Sequence, residues 1–368
     1  MKRILLGSSA LFAAGLICAP LQAAEQIKMG LGGYFLGYAV GGDEDGTAAA
    51  NRRGHMIARE SEIHFKGKTT LDNGLTVGIQ VELEAETCGD QIDETYVYFQ
   101  GQFGRLVIGQ EDPAPYQMYI GAPSSALPGH GFTVPTFQHA ANGGNAHGAT
   151  PTNLINISGD SEKVIYMTPR FAGFQLGVNY TPENCEEVRG VCGGSYSGFQ
   201  ATNNTGQQSE VVEIGANYTR KFSGVDIGLF GGYGAGNVEN PTAAQKDNTT
   251  WSVGARFGFS GFQVGASYRD DDLGTSGSNT DQTETLVGAS YGTGPWKLSL
   301  LYWHSEIGAG AGLGEDELDA YELGATYALG PGVNLAGGVQ YFDFEDNLNV
   351  AANENEALIF MLGTQIKF

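Results

Sequence analysis

The sequence predicts an all-β fold: one 16-stranded antiparallel transmembrane β-barrel with short periplasmic turns, long extracellular loops and a third loop far longer than the rest. Three observations carry this expectation. Apolar and polar residues alternate with period two along most of the chain after residue 25. The apolar face is the continuous one, and the opposite face carries glycine, serine, glutamine and charges, the inverse of a soluble sandwich. Connections alternate between a few residues and long stretches rich in glycine, asparagine, aspartate and threonine.

The elements follow in order. Lys2 and Arg3 precede an apolar run from Ile4 to Ile17, and Pro20-Leu-Gln-Ala-Ala24 ends in small residues. Residues 1–24 therefore read as a signal peptide cut after Ala23 or Ala24, and residues 25–368 as a single barrel. Ile17 is too bulky for a lipoprotein cleavage site before Cys18. After the leader no apolar run of membrane-helix length occurs, so an exported chain of this pattern is soluble outside the inner membrane or crosses a membrane as a closed barrel.

The expected strands are 26–40, 55–70, 75–86, 93–101, 104–111, 162–169, 174–181, 209–221, 225–236, 249–260, 262–271, 282–292, 295–306, 318–329, 333–345 and 355–368. In TWSVGARFGFS, Trp251, Val253, Ala255, Phe257 and Phe259 share one face, against Ser252, Gly254, Arg256 and Gly258. LTVGIQVELE sets Leu75, Val77, Ile79, Val81 and Leu83 against Thr76, Gly78, Gln80, Glu82 and Glu84. Aromatics gather at strand ends, among them Tyr34, Phe103, Phe171, Phe174, Tyr218, Phe222 and Tyr327, as interfacial girdles require. LDNG (71–74), RFAG (170–173), FSG (222–224) and LGPG (329–332) are short turns. The even strand count puts both termini on the short-turn side.

The third long loop spans 112–161. From Pro113 to Gly159 it holds no Asp, Glu, Lys or Arg, yet the chain carries 41 acidic residues against 19 basic ones and three of its six histidines, His130, His139 and His147, lie there. A loop of about fifty residues is rare unless functional. Histidines there would add charge near pH 6 if exposed, or act as neutral polar groups if satisfied by the loop.

At this point the chain resembles the Gram-negative general diffusion porins, of an alphaproteobacterial type. The resemblance rests on QIKMGLGGYFLGYAV, SEIHFKGKTTLDNGLTVGIQVELE, DETYVYFQGQFGRLVIGQED, KVIYMTPRFAGFQLGVNY and the ending LIFMLGTQIKF, whose terminal Phe368 is similar to the signal read by the barrel-assembly machinery. It implies a homotrimer in the outer membrane, in contact with lipid and lipopolysaccharide, that passes small hydrophilic solutes, with the third loop folded into the lumen to narrow it. In the family that loop is acidic and faces a basic wall. Here the loop has acids only at its ends, including Glu111 and Asp112, and LPGHGFTVP replaces the acidic centre. The wall positions read Glu62, just before an Ile63-His-Phe-Lys-Gly67 turn, with Glu94 and Tyr96, while Glu82 and Glu84 share the lumen face.

The expected pore-lining residues are therefore Glu62, Glu82, Glu84, Glu94, Tyr96, Arg105, Glu111, Asp112, His130, His139, Lys163, Arg256 and Arg269. Arg105, Lys163, Arg256 and Arg269 would supply a counter-field, and weak cation selectivity is expected from the acidic wall. Cys185 and Cys192 bracket NCEEVRGVC and form a local disulfide in an oxidising compartment, leaving Cys88 odd. No cofactor is required. Acidic loop clusters, with Asp43, Asp45, Asp271 and Asp272 as ligands, are candidates for Ca²⁺ or Mg²⁺, and the strong acidity gives no footing for nucleic acid. Two other readings stand beside the diffusion channel. A substrate-specific channel for a sugar or another nutrient would need an aromatic ladder, of which Tyr96 and Tyr98 are a hint. An outer-membrane enzyme would need a nucleophile beside His55, His64 or His304.

Overall fold

The computed structural model describes residues 26–45, 53–85, 92–123, 153–185, 202–277, 279–310, 312–348, 350 and 353–368. The leader, Cys88, Cys192, His130, His139 and His147 lie outside these residues. The strands are β1 (Lys28–Glu44), β2 (His55–Thr70), β3 (Thr76–Glu84), β4 (Ile92–Gly101), β5 (Gly104–Gln110), β6 (Glu162–Met167), β7 (Phe174–Glu183), β8 (Gln208–Phe222), β9 (Val225–Val238), β10 (Asn248–Phe259), β11 (Phe262–Asp271), β12 (Gln282–Thr293), β13 (Trp296–Gly308), β14 (Glu315–Gly330), β15 (Val333–Glu345) and β16 (Asn355–Lys367), with one short helix, α1 (Ala114–Met118). Each strand pairs antiparallel with its sequence neighbours, and β16 closes on β1. Gly33 and Phe368 exchange backbone hydrogen bonds at 3.0 and 3.1 Å, so the last residue completes the seam.

Most strand limits agree with the period-two reading. The largest differences are at extracellular ends. β1 continues to Glu44 through GGDE, and β14 begins at Glu315 through EDE. Neither stretch alternates, yet both extend the ladder, because backbone pairing needs no apolar side chain once hairpin partners are present. Ile63-His-Phe-Lys-Gly67 is not a turn. It runs through the middle of β2, paired with β1 and β3. At the opposite end the hairpins are tight. Ala172, Ser223 and Ser260 have φ of 48°, 47° and 49°, each followed by a glycine at 100°, 86° and 88°. Two consecutive positive φ values are the type I′ pattern that matches strand twist, and glycine tolerates the second of them.

The outer face is apolar where lipid meets it. Leu300, Leu323 and Phe360 are exposed there, in the manner of a lipid-facing band. Rings cluster at both rims. Phe174–Tyr218, Phe262–Tyr291 and Trp296–Tyr327 pack near the short turns, and Tyr302–Tyr321–Tyr341 form a cross-strand row near the long loops. Tyr34 is not part of a girdle. It faces inward and donates to Glu62.

The inner face departs from a uniformly wet, polar wall in two ways. First, both described limbs of the third loop lie against β7–β12. A row of small residues runs across those strands: Gly177 opposite Gly215, Gly215 opposite Gly232, Gly232 opposite Ser252, Gly254 opposite Ser267, and Gly265 opposite Gly288. The loop occupies the space their side chains would fill. A Cβ on Gly215 would stand 2.8 Å from the Pro115 Cα, one on Gly232 2.8 Å from the Ile155 Cδ1, and one on Gly265 2.6 Å from the Gly121 oxygen. The glycines that the sequence offered as lumen polarity are a cradle for the loop.

Second, the inward faces of β1 and β12–β16 carry a buried apolar cluster that includes Tyr38, Leu301, Trp303, Phe342 and Ile359, joined by Ala122 of the loop. Alternation identifies the face of a residue, but not whether that face is wet.

Candidate functional site

The outgoing limb of the loop is built from local rules. Pro113 precedes α1 in extended conformation, and proline fits the first helical turn, where the backbone N–H has no helical partner. The free Ala114 N–H is met from the wall by the Asn179 Oδ1 at 2.9 Å. Asn217 donates to the Met118 carbonyl at 2.9 Å, and the Tyr119 hydroxyl meets the Ser267 Oγ at 2.5 Å. Met118 and Ile120 pack with Val107, Ile165 and Phe230. On the returning limb the fully buried Glu213 accepts from the Ile157 N–H at 2.9 Å, the Ser158 hydroxyl at 2.5 Å and the Asn179 amide at 2.8 Å. The Ser252 hydroxyl donates to the Asn153 carbonyl at 3.1 Å. Asn179, Glu213 and Asn217 thus serve the loop rather than the pore. Their inward parity was visible in the sequence, but their role was not.

Lys163 ties the two limbs together. Its ammonium, 2% exposed, donates to the Glu111 carbonyl at 2.5 Å and the Gly159 carbonyl at 2.6 Å. The expected pore counter-charge is a structural clamp. Arg269 is likewise withdrawn, bonded through Nη1 to Glu284 at 2.7 Å and through Nη2 to Asp271. Of the other two expected counter-charges, Arg105 pairs with Glu111, and Arg256 remains beside open space, one inward position nearer the short turn than Gly254, in a recess shared with Thr219, Lys221 and Asp226.

Across the lumen the acids converge. The lumen series on β2 is Glu60, Glu62, His64, Lys66 and Lys68, acidic at mid-wall and basic toward the turn. His64 faces Glu82 across the ladder, and Glu62 faces Glu84. The register slips between Val81 and Leu83, and near this irregularity Asp93 comes within 4.8 Å of Glu62 and Glu84. The carboxylates of Glu94, Glu111 and Asp112 form a neighbouring group of the same span. Arg105 pairs with Glu111 at 3.7 Å and lies over the Tyr96 and Tyr98 rings at 5.8 and 5.0 Å. These tyrosines serve as a cation–π seat for Arg105. Glu60, His64, Lys66, Lys68 and Asp93 were not among the expected pore-lining residues. The i, i+2 spacing of Glu62 and His64 marked His64 as theirs, whereas the slip that turns Asp93 inward left no sequence signal.

Among the loop-cluster carboxylates, Asp271 and Asp272 accept from backbone N–H groups of the turn after β11 and of its neighbour β10. Asp272 accepts from the Thr249 and Gly274 N–H groups and pairs with Lys246. Burial opposes its charge, yet these donors prevail and hold its carboxyl below the usual range. Asp45 accepts from the Glu356 N–H, while Asp43 is exposed at the end of β1. Cys185 is disulfide-bonded, and its partner lies outside the described residues.

Burial pushes the Glu111 carboxyl up against the pull of Tyr96 and Arg105. Burial, reinforced by Asp160 and Glu111, pushes the Asp112 carboxyl up to about 8 from its ordinary 3.8. The folded chain therefore holds this proton more tightly than an unfolded one. The Asp112 contribution to stability falls as pH rises from about 4 to about 8 and is level above that. The pore correspondingly gains one negative charge per chain between about pH 7 and pH 9. Cation preference measured by reversal potential should rise through that window in the native protein and stay flat in Asp112→Asn.

A family model described as Gram-negative porin matches residues 8–347. The chain belongs to the Gram-negative porin family. This porin is a diffusion channel of the bacterial outer membrane. Solved structures share its fold at low identity. An anion-selective porin from Comamonas acidovorans aligns at TM-score 0.62 and 16% identity, over 93% of this chain and all of the other. A porin refined at 1.8 Å resolution aligns at 0.60 and 16%, with the same coverage. OmpT of Vibrio cholerae in its trimer form aligns at 0.60 and 14%, over 94% of this chain and 100% of that one. No curated protein matches the chain.

Proposed function

We propose that this porin is a weakly cation-selective channel for the passive diffusion of small hydrophilic solutes, assembled as a homotrimer. The observation that carries the selectivity is asymmetric disposal of charge. Glu60, Glu62, Glu82, Glu84 and Asp93 gather on one wall, while Lys163 and Arg269 are sequestered in bonds to the loop base and to neighbouring acids. In a pore, wall charge sets the sign of the preferred ion. The sharing of one fold with an anion-selective porin supports the view that selectivity resides in wall residues, not in the barrel. The trimer rests on the family and on the trimeric Vibrio cholerae relative.

The test is reversal potential in a potassium chloride gradient across a planar bilayer. Potassium should be preferred over chloride by roughly two- to tenfold, and a Glu62→Gln, Glu84→Gln double variant should bring the ratio toward one. Chloride preference in the native channel would end this reading. Closure in three equal steps under voltage would support the trimer, whereas single-step closure would count against it. His64 and His304, named in the enzyme reading, are both held by carboxylates, at 2.7 and 2.9 Å.

A further inference from the structure

One side-chain group on the acidic wall differs from its neighbours in including an imidazole. Glu62 and His64 alternate on β2, so both point into the lumen, and Glu82 stands directly across the ladder from His64 on β3. Two ligands at i and i+2 and a third opposite them make a compact triangle on a rigid sheet. The three donor atoms converge. The His64 Nε2 lies 2.7 Å from the Glu62 Oε2 and 2.9 Å from the Glu82 Oε2. A single proton on that nitrogen can serve one carboxylate in line, so two acceptors face one donor.

The outer oxygens are held as well. The Tyr34 hydroxyl donates to the Glu62 Oε1 at 2.6 Å, and the Gln80 amide donates to the Glu82 Oε1. Neutral donors thus orient each carboxylate from behind and leave Oε2 pointing inward, as supporting groups do at metal sites. The Tyr34 ring also packs edge-on against His64 at 6.1 Å. The three side chains are only 14%, 11% and 10% exposed, so the site is shielded yet borders the lumen.

We propose that Glu62, His64 and Glu82 form a binding site for a borderline divalent cation of the Zn²⁺ class. The donor set of one imidazole and two carboxylates suits zinc and its first-row neighbours better than calcium, which takes six or more oxygens. Tetrahedral zinc with bonds of about 2.0–2.2 Å spaces its donors by about 3.3 Å, so the triad needs to open by roughly half an ångström, with water as the fourth ligand. Glu60, Glu84, Asp93 and Glu94 add negative potential around the site, against Lys66 on the same strand. Bound zinc would cancel the charge of two constriction glutamates and so lower cation preference. The site does not depend on the selectivity reading, because the ligands converge whatever ion the pore prefers.

The experiment uses the full-length purified porin in detergent, stripped of metal and titrated by calorimetry with zinc chloride and, separately, calcium chloride. Native protein should take one Zn²⁺ per chain, at least about tenfold more tightly than Ca²⁺. His64→Gln should weaken zinc by roughly tenfold or more, with its folded, heat-modifiable mobility retained. Zinc-soaked native crystals should show an anomalous peak within about 2.0–2.2 Å of all three side chains. Equal zinc affinity in His64→Gln, calcium bound as tightly as zinc, or no peak at the triad would each overturn the proposal. If His64→Gln fails to fold, the native crystal and the zinc-to-calcium ratio decide it.

Discussion

Gly254→Val is expected to lift the outgoing limb of the third loop off the wall. A Cβ at Gly254 would overlap the Ile120 carbonyl oxygen, with the Gly121 Cα close behind. Neither contact is the end of a flexible side chain. Both belong to backbone held on one side by Asn217 and on the other by the Tyr119–Ser267 bond. The strand cannot retreat either, because β10 is paired on both edges. Overpacking of this kind typically costs about 1–3 kcal/mol, and more when backbone must move. The cheaper response is detachment of the loop. Single-channel conductance should then rise, roughly doubling if the limb leaves the lumen, and the loop should become a site of limited proteolysis. Gly231→Val is the control. Its Cβ would meet nothing within 4 Å, so conductance and protease resistance should match the native protein. Unchanged conductance in Gly254→Val would show that the docked limb does not set the bore.

Lys163→Met is expected to be the most destabilising single change at the base of the third loop. The ammonium holds the carbonyls of Glu111 and Gly159, which end the outgoing limb's anchor and the returning limb respectively. It also offsets the buried carboxyls of Glu111 and Asp112. Methionine fills the volume but leaves two carbonyls without their donor and removes the compensating charge. Leaving a buried carbonyl without its donor costs about 1–3 kcal/mol for each of the two. The midpoint of urea unfolding should fall accordingly, and open-channel current noise should grow as the loop base loosens. The Asp112 carboxyl, already pushed up to about 8, should titrate at still higher pH once its cation is gone. A variant as stable as the native protein would show that the clamp is dispensable.

These two residues mark where sequence reasoning stopped. Gly254 and Lys163 both have inward parity, and parity follows directly from alternation. Alternation cannot distinguish an inward glycine beside water from one under a loop, nor a lysine in the pore from one tied to two carbonyls. The same limit explains Arg269, whose partners Glu284 and Asp271 lie on β12 and on its own strand. It explains Trp303 and Phe342 as well, whose inward position contradicts a polar lumen only once the buried cluster is seen. Asp93 failed for another reason. A one-residue slip in the β3–β4 pairing reverses the face that strict alternation assigns.

The sequence by itself determined the barrel, the order and approximate limits of its strands, the alternation of short and long connections and the place of the third loop. Those features follow from local chemistry: a lipid-facing strand must alternate, its backbone must pair within a closed sheet, and tight hairpins need residues that tolerate positive φ. The position of Glu62, Glu82 and Glu94 on one wall was legible for the same reason. Only the tertiary structure decided which inward groups meet water. It seated the loop on the glycines of β7–β12, spent Lys163 and Arg269 on structural bonds, and drew His64 between two carboxylates. These are contacts between segments far apart in the chain, and they depend on what lies across the lumen, which no periodicity within a strand encodes.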